Sequence, residues 1–255
     1  MTLVLSILSN EYTLMLADTK RTVLGPGEMS FGDTLISIPK GEFRVLDGYP
    51  WVQKVFFTDN LNEAIAYSGE RESSDPVFPG FTKSVGYQLD EELFDEFRRK
   101  ANLQQFPTLT EVNYPGQQVI HVYEIQKKTI VAKLSYTPMF LTWHYYNSKI
   151  NKLTWVGIGS GEDHLSSFLS KSPFSEQWEE LRGQICLEKI DEIIQFFCGL
   201  FYEISLIQND VNCKVSSWFK PKNESQWVNY GYHVMNQAMV WIHNKNEVAS
   251  SSPLL

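Results

Sequence analysis

A threonine directly after Met1 is the first residue of this sequence whose type and position could do chemistry. Once Met1 is removed, Thr2 carries a nucleophilic hydroxyl and, in its own α-amino group, a base with an unperturbed pKa of about 7.7–8.0. Such a nucleophile needs no separate histidine, and the chemistry it offers is attack on an amide carbonyl. The plainer interpretation is that Thr2 is a surface residue of a first strand.

Other catalytic schemes find less support in the residue types and their spacing. The five histidines are scattered, with no H-E-x-x-H motif and no carboxylate at ligand spacing, so we expect no metal and no cofactor. The odd number of cysteines, with no C-x-x-C pair, favours a reduced, cytosolic setting. A Cys–His pair using Cys186 or Cys213 stays open because such partners need adjacency only in space. Cys198 lies on an apolar stripe and is expected in the core.

The elements that would position these residues begin with a hairpin. Apolar runs at 2–8 and 12–17 are separated by Ser9-Asn10-Glu11, which supplies turn chemistry. Dense Gly and Pro over 21–51 predict a loop or irregular hairpin rather than long regular elements. Further strands are predicted at 52–58, 63–68, 117–126, 128–136, 139–146, 152–158, 213–219 and 226–234.

Three segments have helical signals. Residues 90–104 open with acidic residues and end with basic ones, 162–170 follow a Gly-Ser-Gly turn, and 186–207 repeat apolar residues at intervals of three and four. Strands and helices in separate blocks favour an α+β fold with two packed sheets and helices outside them. We expect one domain over 1–243 and a disordered tail at 244–255.

This order of elements and several motifs resemble the proteasome β-subunit-like N-terminal-nucleophile hydrolases, which include bacterial proteasome-like peptidases. Thr2 and Asp18 show the family's spacing of sixteen residues between a threonine that starts the first strand and an aspartate that ends the second. Segment 53–56 (QKVF) resembles the pattern in which the family lysine opens the third strand. Segment 66–69 (AYSG) is similar to the turn after the fourth strand, and 156–161 (VGIGSG) to the strand that ends in Gly-Ser-Gly. The resemblance covers most of the chain from 2 to about 219.

The resemblance implies a four-layer αββα sandwich of two packed antiparallel sheets flanked by helices. It implies that Thr2 is the nucleophile. It also implies that the charged Lys54 lowers the pKa of the Thr2 α-amino group by like-charge repulsion. Asp18 would hold Lys54 charged and in place. The main-chain N–H of Gly69 would serve as an oxyanion donor.

Two further residues are carried over from the same resemblance. Ser160 and Asp210 are similar to the family residues that orient the threonine amine. The motif around Asp210 is loose, and Cys213 stands where the family usually has a serine.

Each motif also has a structural interpretation. Asp18 and Thr19 could form an ordinary turn at the end of a strand. Lys54 could be a solvated edge residue that discourages edge pairing. The turn at 159–161 could contact phosphate, although it lacks the Lys-Ser/Thr that follows in phosphate-binding loops.

The sequence departs from the family at three further places. The stretch between Asp18 and Lys54 is about twenty residues longer than the family pattern, so Lys54 is assigned by its local motif. An insertion at 70–89 delays the helix that in relatives contributes to subunit contacts, which leaves homo-oligomer and ring formation open. Ser68 and Glu70, which flank Gly69, differ from the Gly-rich version of the turn, and the bulky Glu70 could narrow or charge the pocket.

Two classes of function follow. The first is an amide hydrolase, a threonine-type peptidase acting on a peptide or small amide. The second is a non-catalytic proteasome-like subunit or a binding and assembly protein that keeps the fold. The α-type subunits carry a helix before the first strand, and none precedes Thr2 here, which favours the first class.

Composition limits the partners. The 255 residues have a formal net charge of −8 and a pI near 5.2, so no basic face is expected to bind nucleic acid. No basic residue precedes the first apolar run, which argues against a signal peptide. No run approaches the length of a membrane helix. We therefore expect a cytoplasmic protein with neither nucleic acid nor membrane as partner.

Overall fold

The structure of the protein is a computed structural model. It describes residues 2–24, 27–31, 34–40, 43–47, 54–57, 63–68, 118–125, 128–136, 141–147 and 152–235. The strands within these ranges are β1 (Val4–Leu8), β2 (Tyr12–Asp18), β3 (Lys20–Leu24), β4 (Gly27–Phe31), β5 (Thr34–Ile38), β6 (Phe43–Asp47), β7 (Val55–Phe57), β8 (Ala64–Ser68), β9 (Gln118–Ile125), β10 (Lys128–Tyr136), β11 (Leu141–Asn147), β12 (Thr154–Ile158), β13 (Lys214–Pro221) and β14 (Val228–Val234). The helices are α1 (Glu162–Leu169), α2 (Phe174–Leu181), a 3₁₀ turn (Leu187–Lys189) and α3 (Ile190–Ile207).

The first sheet is antiparallel and has the strand order β12-β1-β2-β13-β14. Its centre is the predicted hairpin of β1 and β2, which the structure confirms. Ser9 builds the turn, because its hydroxyl oxygen accepts from the backbone N–H of Glu11 at 3.0 Å and of Tyr12 at 2.9 Å. The register pairs Val4 with Ala17 and so brings Asp18 opposite Leu3.

The second sheet is also antiparallel, with the order β11-β10-β9-β8-β7. It contains the predicted meander of β9, β10 and β11. The expectation of a loop or irregular hairpin over 21–51 was partly wrong. There, β3 pairs with β6 and β4 with β5 in two regular ribbons. Antiparallel pairing lets short runs satisfy their backbone groups despite the nearby Gly and Pro residues.

The predicted helices at 162–170 and 186–207 are confirmed as α1 and as the 3₁₀ turn followed by α3. Helix α2 was not predicted. Its Trp178 side chain packs against α3. The centroid of the Trp178 ring lies 6.1 Å from that of Phe196 and 5.4 Å from that of Phe197. Burial of one such side chain contributes about 1.5–3 kcal/mol. The predicted helix at 90–104 and the predicted tail at 244–255 lie outside the described residues.

The side chains of the first sheet alternate between two cores. Leu3, Leu5 and Ile7 pack with the helices on one face. Val4 and Leu8 point to the opposite face and pack with residues of the second sheet. The fold is therefore α+β, with antiparallel sheets and with helices on the outer face of the first sheet. Among the described residues, no helix combines the length and apolar character needed to cross a bilayer.

Candidate active site

The β1–β2 hairpin brings Thr2 to Asp18. Because the register sets Leu3 opposite Asp18, Thr2 lies one residue beyond the last pair, beside the Asp18 carboxylate. The Thr2 hydroxyl donates to Asp18 Oδ2 at 2.6 Å. Thr2 is 3% exposed and Asp18 is 0% exposed, so the contact is shielded from water.

Four donors converge on the two carboxylate oxygens of Asp18. Oδ2 accepts from the Thr2 hydroxyl and from the Leu3 N–H, both at 2.6 Å. Oδ1 accepts from the Lys20 N–H at 2.9 Å and from Lys54 Nζ at 2.6 Å. A buried carboxylate needs such partners because an unpaired buried charge is strongly unfavourable. Asp18 is thus held rigidly where the second strand ends.

Lys54 reaches this carboxylate from the second sheet. It immediately precedes β7, its side chain is 8% exposed, and it forms an ion pair with Asp18. Its Nζ also donates to the Thr2 hydroxyl oxygen. The Thr2 hydroxyl therefore donates to a carboxylate and accepts from an ammonium group. The ammonium group can stabilise negative charge that develops on this oxygen, and the Asp18 carboxylate holds the ammonium group beside it.

The turn at 159–161 packs on the main chain of Thr2. Gly159 has a φ of +103°, a conformation that favours glycine. A Cβ at this position would overlap the carbonyl oxygen of Thr2, so no other residue fits without moving the nucleophile. The N–H of Gly161 donates to the same oxygen at 3.4 Å. Within the described ranges, the buried Ser160 hydroxyl oxygen has no hydrogen-bond partner.

The sequence did not predict a role for Gln118, whose side chain hydrogen-bonds to this turn. Its Oε1 accepts from the Gly159 N–H at 2.6 Å. Gln118 is the first residue of β9 and pairs with Ser68 at the end of β8. A glutamine at the polar start of a strand carries no recognisable signal, so only the structure identifies it.

The structure does not bring Asp210 into the cluster. Its carboxylate is partly buried and accepts from Gln208 Nε2 at 3.2 Å. Among the described residues it makes no hydrogen bond to Thr2 or Lys54. The loop that carries Asp210 is instead tied to β2 by Asn212, whose Oδ1 accepts from the Thr19 N–H at 3.1 Å.

Gly69, the predicted oxyanion donor, lies outside the described residues. Ser68, which precedes it in the chain, is 4% exposed. A Cβ at Gly159 would lie 3.0 Å from the Ser68 hydroxyl oxygen. The end of β8 therefore adjoins the turn that holds Thr2.

Cys198 and Ser217 also carry potentially nucleophilic groups, and both side chains are buried. Burial raises the pKa of the Cys198 thiol strongly, as expected for a core cysteine. The Ser217 hydroxyl lies 2.7 Å from His233 Nε2, and both residues are buried. The Ser217 hydroxyl oxygen also lies 3.1 Å from the Gly231 carbonyl oxygen. Ser217 and His233 both lie within the paired strands β13 and β14 of the first sheet.

In the part of the chain that the structure describes, no cluster of three or more His, Cys, Asp or Glu residues is placed to hold a metal ion.

Comparison with known proteins assigns no family. No protein-family model matches the sequence. No curated protein is detectably similar to it.

Proposed function

We propose that this chain is an amide-bond hydrolase, a threonine-type peptidase that uses Thr2 as an N-terminal nucleophile after removal of Met1. One observation carries the proposal. The Thr2 hydroxyl lies between the carboxylate of Asp18 and the ammonium group of Lys54, all three nearly buried. These residues come from three separate segments, and a surface threonine would need none of these contacts.

The proposed reaction begins with a free Thr2 amine. The amine accepts the hydroxyl proton while Oγ1 forms a bond to the substrate carbonyl carbon. Lys54 stabilises the negative charge on the attacking oxygen, and Asp18 keeps Lys54 in place. The amine then returns the proton to the leaving nitrogen as the amide bond breaks. A water molecule then hydrolyses the ester between Thr2 and the substrate. The amine accepts a proton from this water and returns it to the Thr2 oxygen as the ester bond breaks.

Three further expectations belong to this proposal. Ser160 would orient the free amine, which agrees with a buried hydroxyl that has no partner among the described residues. The N–H of Gly69 would bind the developing oxyanion, next to Ser68 in the chain. The four-layer αββα sandwich of the proteasome-like family is part of the same proposal.

The test needs the chain with and without Met1. A cleavable N-terminal fusion can release Thr2 as the first residue, with intact mass and N-terminal sequencing as proof. We expect an epoxyketone or β-lactone probe to label this form at Thr2, and neither the Met1-bearing form nor Thr2→Ala to react.

Labelling that persists in Thr2→Ala would refute the assignment of the nucleophile. A folded protein with a free Thr2 that no such probe labels would instead support the non-catalytic alternative. Peptide and small-amide libraries then distinguish the two substrate classes.

A further inference from the structure

Gln118 joins the second sheet to the turn that contacts Thr2. Its backbone belongs to β9, where it pairs with Ser68. Its side-chain Oε1 accepts from the N–H of Gly159, which follows the last residue of β12 in the first sheet. The 2.6 Å bond therefore spans the two sheets at the Thr2 end of the molecule.

Gly159 transmits this contact to the nucleophile. It lies so close to the Thr2 carbonyl that even a methyl group would not fit between them. The same oxygen accepts from the Gly161 N–H, so both ends of the turn touch the Thr2 main chain. A displacement of Gly159 toward Thr2 would therefore push the Thr2 main chain and change its position relative to Asp18 and Lys54.

We propose that Gln118 is a positioning residue for the Thr2 nucleophile. It holds Gly159, and through Gly159 the Thr2 main chain, at a constant distance from the end of β8. The inference rests on the proposed function, and it adds a residue that acts through another and does not itself contact Thr2. A misplacement of about 1 Å at a reacting group is enough to lower a rate about a hundredfold.

The chemistry of the amide provides matched variants. The Gly159 N–H can only donate, so Gln118 must present Oε1 to it. In the described part of the chain, Nε2 makes no hydrogen bond. Gln118→Glu therefore keeps an acceptor for the Gly159 N–H and breaks no hydrogen bond among the described residues. Gln118→Met has a similar length but no acceptor, and Gln118→Ala removes the acceptor by truncation.

The experiment measures β-lactone labelling of the form with a free Thr2. We expect Gln118→Met and Gln118→Ala to lower the maximal labelling rate constant about tenfold, with the probe's dissociation constant within about twofold of the parent value. Gln118→Glu should restore the rate to within about threefold. Amide hydrogen exchange at Gly159, which needs no activity, should be about tenfold faster in the two variants that lack the acceptor.

The outcomes separate two kinds of failure. A parent protein that is not labelled refutes the proposed function, and this inference with it. A labelled parent whose Gln118→Met and Gln118→Ala variants react at the parental rate refutes only the positioning role. The role is also refuted if Gln118→Glu is as slow as Gln118→Met, or if Gly159 exchange does not change.

Discussion

The buried ion pair between Lys54 and Asp18 makes a quantitative prediction about stability. Lys54→Met keeps the length of the side chain and removes its charge. Asp18, at 0% exposure, then loses its cation, and the Thr2 hydroxyl loses a donor. Removing one partner of a buried pair costs about 3–5 kcal/mol, so we expect the free energy of unfolding to fall by that amount.

A double-mutant cycle isolates the interaction. Asp18→Asn alone should cost a similar amount, because the Lys54 ammonium group would lose the buried carboxylate with which it pairs. The double variant carries neither charge and avoids that penalty. We therefore expect it to be more stable than the sum of the single effects predicts, with a coupling free energy of about 2–3 kcal/mol.

Urea unfolding followed by tryptophan fluorescence measures these differences. Glu179→Gln is the control, because Glu179 contacts Arg182 at 2.6 Å with its side chain 62% exposed. An exposed pair contributes at most about 1 kcal/mol. The reasoning is refuted if Lys54→Met costs no more than Glu179→Gln. It is also refuted if the Lys54 and Asp18 effects add to within about 0.5 kcal/mol.

Two further predictions concern glycine and cysteine positions. Gly159→Ala should lower the free energy of unfolding by about 2–4 kcal/mol, because the added carbon meets the Thr2 carbonyl at a positive φ. Gly199 lies in α3 with open space around the added carbon, so Gly199→Ala should raise the free energy of unfolding by up to about 1 kcal/mol. If urea unfolding shows the same change for both variants, the geometry at Gly159 is contradicted. In native protein at pH 8, a disulfide reagent should modify the exposed Cys186 and leave Cys198 unmodified until denaturant is added. Burial raises the pKa of Cys198 and hides its sulfur, so mass spectrometry that finds it modified in the native state would contradict this.

Local signals account for the parts of the fold that were predicted correctly. The β1–β2 hairpin follows from two apolar runs and Ser9, and α3 from an apolar stripe with helical spacing. Helix α2 was missed although Phe174, Trp178 and Leu181 recur at helical spacing, because its eight residues are too short for a strong periodic signal. The ribbons within 21–51 were missed because Gly and Pro mask pairing between short strands.

The candidate site divides in the same way. The sequence by itself determined the β1–β2 hairpin, whose short turn sets which residues lie opposite each other. The Thr2–Asp18 pair, which was expected from the family's spacing, makes contact because of that hairpin. The contact of Lys54 with Asp18 was proposed from a motif, yet it depends on how the two sheets pack. Only the tertiary structure decided that the Gln118 side chain hydrogen-bonds to Gly159. It also decided that Asp210, within the described part of the chain, makes no hydrogen bond to Thr2. These relations join residues far apart in the chain, and sequence spacing does not encode how distant segments pack.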